Sequence, residues 1–131
     1  MEKIRIFLTD DNDEIRAALH KYLEAQEDMI ISGEAANGVE ALQRLPECPS
    51  DVIILDLIMP QMDGYGAARA IRALDRPDAA DIPIVAMTAN AFAEDVQKSL
   101  EAGMNAHIAK PVDLEILKAT LSQLVKQRSR A

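Results

Sequence analysis

Five side chains in this 131-residue sequence have the types and positions to do chemistry: Asp10, Asp11, Asp56, Thr88 and Lys110. Each follows an apolar run. Asp10-Asp11 follows Ile4-Arg5-Ile6-Phe7-Leu8, and Asp56 follows Val52-Ile53-Ile54-Leu55. Thr88 follows Ile82-Pro83-Ile84-Val85-Ala86-Met87, and Lys110-Pro111 follows His107-Ile108-Ala109. If these runs are parallel strands, their C-terminal ends share one edge. Three carboxylates, a hydroxyl and an ammonium then converge. Two carboxylates ~4 Å apart repel by ~4 kcal/mol at an effective dielectric of ~20. The cluster must therefore share protons, pair with Lys110 or bind a cation. Its ligands are hard oxygens, with no Cys and no nearby His, which selects Mg²⁺. A carboxylate can attack a phosphoryl group and form an acyl phosphate. That transfer needs charge neutralisation more than acid–base chemistry. Asp56 ends the run that reads as most buried, so it is the candidate nucleophile. Mg²⁺ and Lys110 would cover equatorial oxygens, and the Thr88 hydroxyl could donate to another.

Each residue alone has a plainer reading. Asp10-Asp11 could cap a helix, Asp56 could be a loop carboxylate, Thr88 a β-former and Lys110 a solvated lysine. Recurrence at four successive strand ends favours the chemical reading of the set.

The elements that must position these groups follow from hydrophobic period. Residues 4–8 read as a strand, and Ile15, Ala18, Leu19, Tyr22 and Leu23 give an amphipathic helix over about 13–26. Met29-Ile30-Ile31 starts a second strand that fades at Gly33-Glu34-Ala35. Asn37-Gly38 signals a turn, and Val39, Leu42 and Leu45 a short helix ended before Pro46. Val52–Leu55 is continuously apolar, as in a strand covered on both faces. A third helix opens at Asp63-Gly64, with Ala67, Ala70, Ile71 and Leu74 inward, and breaks at Arg76-Pro77-Asp78. Residues 82–87 form the fourth strand, and a helix over about 91–101 has Phe92, Val96 and Leu100 on one side and Gly103 as its stop. Asn105–Ala109 reads as a short edge strand. Asp113 caps a last helix with Leu114, Leu117, Leu121 and Leu124 inward. Strict strand–helix alternation predicts an α/β fold with a doubly wound, five-stranded parallel sheet. Ligands bind such sheets beyond the strand C-termini, the edge that carries the five residues.

Composition narrows the function classes. Hydrophobic residues make up 49%, enough for one core, and residues 1–131 read as a single domain with its core at about 4–125 and a basic tail at 126–131. Lys and Arg total 14 against 22 Asp and Glu, a net charge of -8. That balance argues against direct nucleic-acid binding. Cys48 stands alone, which excludes an internal disulfide and a multi-Cys metal site, and reads as an inert loop thiol. No apolar run reaches the roughly 20 residues of a membrane-spanning helix, and no signal peptide is visible. The expectation is a cytoplasmic protein.

With these residues placed, the chain resembles the receiver domain of two-component response regulators over about residues 4–125. The motifs are Thr9-Asp10-Asp11-Asn12, Asp56-Leu57-Ile58-Met59-Pro60 with Met62-Asp63-Gly64, Met87-Thr88-Ala89 and Lys110-Pro111. The resemblance implies a flavodoxin-like (βα)5 fold with strand order 2-1-3-4-5. It implies Asp56 as phosphoacceptor, and Asp11 and Asp56 as Mg²⁺ ligands with the backbone carbonyl of Ile58. Asp10 would reach the metal through water, Thr88 would be the switch hydroxyl, and Lys110 would bind phosphate. A cis peptide before Pro111 would aim Lys110 inward. Ile58 and Asn90 match positions that tune dephosphorylation in the family. In the family, phosphorylation draws in the switch hydroxyl, an aromatic residue on the fifth strand turns inward, and an output face changes. That face joins the predicted fourth helix, the fifth strand and the last helix, and is also where a phosphorylation-dependent dimer would form. His107 occupies the aromatic position, where Tyr or Phe is commoner, and reads as a partly exposed edge-strand residue.

The implied donor is a histidine kinase or a histidine phosphotransfer domain. The chain reads either as a stand-alone regulator or as a receiver from a hybrid histidine kinase. Met87–Phe92 and Gly103–His107 look like hybrid-kinase receivers, whereas Ile4–Ala41 looks more like stand-alone or transcriptional regulators. Two other classes fit less well. A small Mg²⁺-dependent aspartyl-phosphate phosphatase would want a second acid just after Asp56 and a cap over its substrate. A flavodoxin-type binding module would want a Ser-, Thr- or Gly-rich phosphate loop where Asp10–Glu14 stands.

Overall fold

The computed structural model describes residues 3–56, 64–74, 81–88, 97–98, 100–109 and 112–129. Five strands, β1 (Ile4–Thr9), β2 (Met29–Ala35), β3 (Val52–Asp56), β4 (Ile84–Thr88) and β5 (Ala106–Ala109), form one sheet in the order β2-β1-β3-β4-β5. Every pairing is parallel. The helices are α1 (Asp13–Glu24), α2 (Gly38–Arg44), α3 (Gly64–Arg72) and α4 (Leu114–Ser129). Residues 97, 98, 100 and 101 are also helical. The expected doubly wound, flavodoxin-like architecture and strand order are the observed ones.

Strand alternation sends successive side chains to opposite faces, and each face is covered. Phe7, Ile53, Leu55, Ile84 and Ala86 pack with Ala41, Leu45, Ala67, Ala68 and Ile71 of the α2–α3 layer. Ile6, Leu8, Ile54, Val85 and Met87 pack with Leu19 and Leu23 of α1 and Leu117 and Leu121 of α4. β3 and β4 are buried along their full length, which accounts for their unbroken apolar runs.

Boundaries differ from the sequence reading in informative places. β2 does not fade at Gly33 but runs through Ala35. A one-residue register shift pairs Ile6 with Ile31 and Phe7 with Gly33. Gly33 suits that point because an added Cβ would lie 2.7 Å from Cys48 Sγ and 2.8 Å from the Phe7 ring. Cys48 lies in a loop, as expected, and is half-buried against the α2–α3 layer. Pro46 sits inside a 3₁₀ turn (Leu45–Glu47) that continues α2. Ala68, rather than Ala70, shares the buried face of α3 with Ala67 and Ile71. Leu100 is 55% exposed.

Arg72 closes the opposite end of the sheet. Its guanidinium donates to the carbonyls of Gly103 (2.6 and 3.0 Å) and Ile82 (2.7 Å) and to Asn105 Oδ1 (2.8 Å). Gly103 takes φ 96°, the left-handed conformation of a helix stop. Asp113 caps α4 as expected, accepting from the amides of Glu115 and Ile116.

Candidate functional site

The strand C-termini bring three of the five sequence-selected groups together. Asp10, Asp11 and Asp56 each offer a carboxylate oxygen within 4.8 Å of the others. Asp10 and Asp56 are buried and Asp11 is exposed, so the cluster opens to solvent on one side. Asp56 is the last residue of β3 and pairs with Met87. Its neighbour strand ends one residue further on at Thr88, which is 4% exposed. Among the described residues the donor set is all carboxylate oxygen, with no thiolate or imidazole in the cluster. Such a set fits a hard divalent cation.

Asp10 is fixed at three points. Its amide donates to the carbonyl of Ala35 (3.2 Å). Its Oδ1 accepts the Asn12 amide (2.9 Å). Its carbonyl accepts Nη1 of Arg16 (2.7 Å). The cap of α1 is Asn12, whose Oδ1 accepts from the amides of Glu14 and Ile15. Asp10 and Asp11 are therefore not the capping residues. The Thr9 hydroxyl, buried one position earlier, has no hydrogen-bond partner among the described residues.

Thr88 pairs with Ala109, and His107 pairs with Ala86. Parallel pairing and alternation put Thr88 and His107 on the same sheet face, two positions apart. His107 is half-buried on β5, the edge strand, with Nε2 enclosed. Lys110, Pro111, Ile58 and Asn90, and the stretch 57–63 that holds the Met-Pro and Asp-Gly motifs, lie outside the described residues. Sequence reading missed Arg16 and Glu34. The i, i+3 pair of Asp13 and Arg16 is a visible signal, but nothing in the sequence shows Arg16 reaching a carbonyl.

Among the described residues no helix is long and apolar enough to cross a membrane. Comparison with known proteins bears on the family. Residues 6–122 match the response regulator receiver domain family. The chain is 45% identical over 78 residues to Histidine kinase 1 of Arabidopsis thaliana, covering 60% of this chain and 6% of that protein. It is 43% identical over 88 residues to the sensor histidine kinase RcsC of Salmonella typhimurium, covering 67% and 9% respectively. The chain thus spans under a tenth of either relative. Among solved structures, the signal receiver domain of a signal transduction histidine kinase from Syntrophus aciditrophicus superposes with TM-score 0.81 at 30% identity, covering 97% of this chain and 93% of that one. The chemotaxis protein CheY4 of Vibrio cholerae gives TM-score 0.84 at 28% identity, with coverage of 93% and 98%. The chain belongs to the response regulator receiver domain family of two-component signalling.

Proposed function

We propose that Asp56 is the phosphoacceptor and that its carboxylate takes a phosphoryl group from a phosphohistidine on a histidine kinase or histidine phosphotransfer domain. The observation that carries this is the convergence of Asp10, Asp11 and Asp56 within 4.8 Å at the sheet edge. An Asp56 carboxylate oxygen forms a bond to phosphorus while the phosphorus–nitrogen bond to the donor imidazole breaks, and the imidazole keeps the electron pair. Asp11 and Asp56, with the Ile58 carbonyl and with Asp10 through water, would hold Mg²⁺. Bound there, Mg²⁺ supplies positive charge against the phosphoryl oxygens. Lys110 adds a second positive charge, and Thr88 donates its hydroxyl to a phosphoryl oxygen. Phosphorylation and hydrolysis at Asp56 are the only chemistry the domain carries out, on itself.

The output runs from Thr88 across the shared sheet face to His107. A dianionic group bonded to a cation, an ammonium and a hydroxyl can supply the ~5.5 kcal/mol that moves a two-state equilibrium from 1:99 to 99:1. The responding face comprises the helical residues 97, 98, 100 and 101, β5 and α4, where Leu100 and Ile116 are each 55% exposed. A phosphorylation-dependent dimer would use that face. The curated relatives, both histidine kinases, favour a second context, a receiver segment that passes phosphate onward to a phosphotransfer domain.

Intact mass after incubation with Mg²⁺ and acetyl phosphate tests the reading. The expected result is a gain of one phosphoryl group that needs Mg²⁺ and disappears in Asp56→Ala. No adduct refutes it. Rapid turnover of an organic phosphate would instead mark a phosphatase.

A further inference from the structure

We infer that Arg16 is a positioning residue for the metal seat and that the edge strand β2 sets its aim through Glu34. The inference rests on the reading of Asp10, Asp11 and Asp56 as the Mg²⁺ site. Arg16 leaves the first turn of α1 with only 19% of its side chain exposed. One guanidinium nitrogen, Nη1, donates to the Asp10 carbonyl at 2.7 Å. Nη2 donates to Asp13 Oδ1 at 2.7 Å, and Nε lies 3.4 Å from Glu34 Oε1. The planar fork thus spans three partners at once, which a lysine ammonium cannot reproduce. Glu34 is itself held, because its Oε2 lies 2.9 Å from His20 Nδ1.

The register shift in β2 makes this possible. It puts Glu34 opposite Leu8 and Ala35 opposite Thr9. The Glu34 carboxylate then reaches the α1 residues Arg16 and His20, and the Ala35 carbonyl meets the Asp10 amide. Asp10 is gripped from β2 on one side and from α1 on the other. Groups that orient metal ligands without touching the metal typically change metal affinity 10–100-fold when removed.

Charge alone predicts the opposite sign, which makes the inference testable. Arg16→Met deletes a positive charge beside an acidic cluster, so simple electrostatics would tighten Mg²⁺ binding. Positioning requires it to weaken. Titration calorimetry with Mg²⁺ alone, on the metal-free protein, is expected to show a Kd weaker by about tenfold or more in Arg16→Met. Arg16→Lys keeps the charge and loses the fork, and a weakening of about fivefold or more is expected. Backbone amide NMR shifts at Asp10, Asp11 and Asn12 should move in both variants without metal. An unchanged or tighter Kd in Arg16→Met overturns the inference. If Arg16→Met does not fold, an Arg16→Lys Kd within twofold of the parent overturns it. A parent protein that does not bind Mg²⁺ would instead refute the metal-site reading itself.

Discussion

Replacing Asp56 with Asn should stabilise the metal-free protein. The Asp10 and Asp56 carboxylates are buried and have oxygens within 4.8 Å of each other. At that distance and an effective dielectric of ~20, like charges repel by about 3.5 kcal/mol. Asp11 is exposed, so its share is screened and small. Asn keeps the shape of Asp56 and removes the charge. Allowing for the hydration the charged pair retains, we expect a gain of about 2 kcal/mol, a Tm rise of about 8 °C for a domain of this size. The assay is thermal unfolding by circular dichroism in chelator-treated buffer. Mg²⁺ at ten times its Kd should stabilise the parent by about 1.4 kcal/mol and Asp56→Asn far less, so the gap narrows as Mg²⁺ is added. Salt should erode the effect of Asp11→Asn more than that of Asp56→Asn. A metal-free Asp56→Asn protein that melts at or below the parent temperature would mean that repulsion between these carboxylates does not limit stability.

Three further outcomes follow from the packing. Thr9→Val replaces a buried hydroxyl that has no partner among the described residues with a group of equal shape and should stabilise by about 1 kcal/mol, read from denaturant midpoints. Gly33→Ala forces a Cβ to within 2.7 Å of Cys48 Sγ and 2.8 Å of Phe7; it should cost about 1–3 kcal/mol, and adding Cys48→Ala should recover part of that loss in a double-mutant cycle. Partial burial of Tyr22, together with the nearby Glu115 carboxylate that accepts its hydroxyl, holds its phenol above the usual 10.0. The folded chain therefore keeps that proton longer than the unfolded one, so this contribution is full below the ordinary phenol pKa and is lost as pH rises through the elevated value. Glu115→Gln should lower the Tyr22 pKa, followed by NMR titration of the ring.

The sheet and the acidic edge were legible because β1, β3, β4 and β5 are short apolar runs closed by a polar residue. β3 and β4 are covered on both faces and announce themselves. β2 was harder, because Ser32, Gly33 and Glu34 look like a strand ending. Only the Phe7 ring and Cys48 packed over Gly33 explain why the strand continues. The Asp10-Asp11 pair was equally consistent with a helix cap until Asn12 proved to be the cap. Arg16 was invisible for a different reason. It acts on a backbone carbonyl, and carbonyls carry no residue identity. Leu100 followed the helical period yet lies exposed, as a residue on an interaction face can.

The proposed signalling role depends on phosphorylation at Asp56. Borohydride reduction of the phosphorylated protein converts an aspartyl phosphate to homoserine, and peptide mass spectrometry then locates it. Homoserine is expected at position 56, formed only after phosphodonor and Mg²⁺ are supplied. Homoserine at position 10 or 11, with position 56 still aspartate, would contradict it.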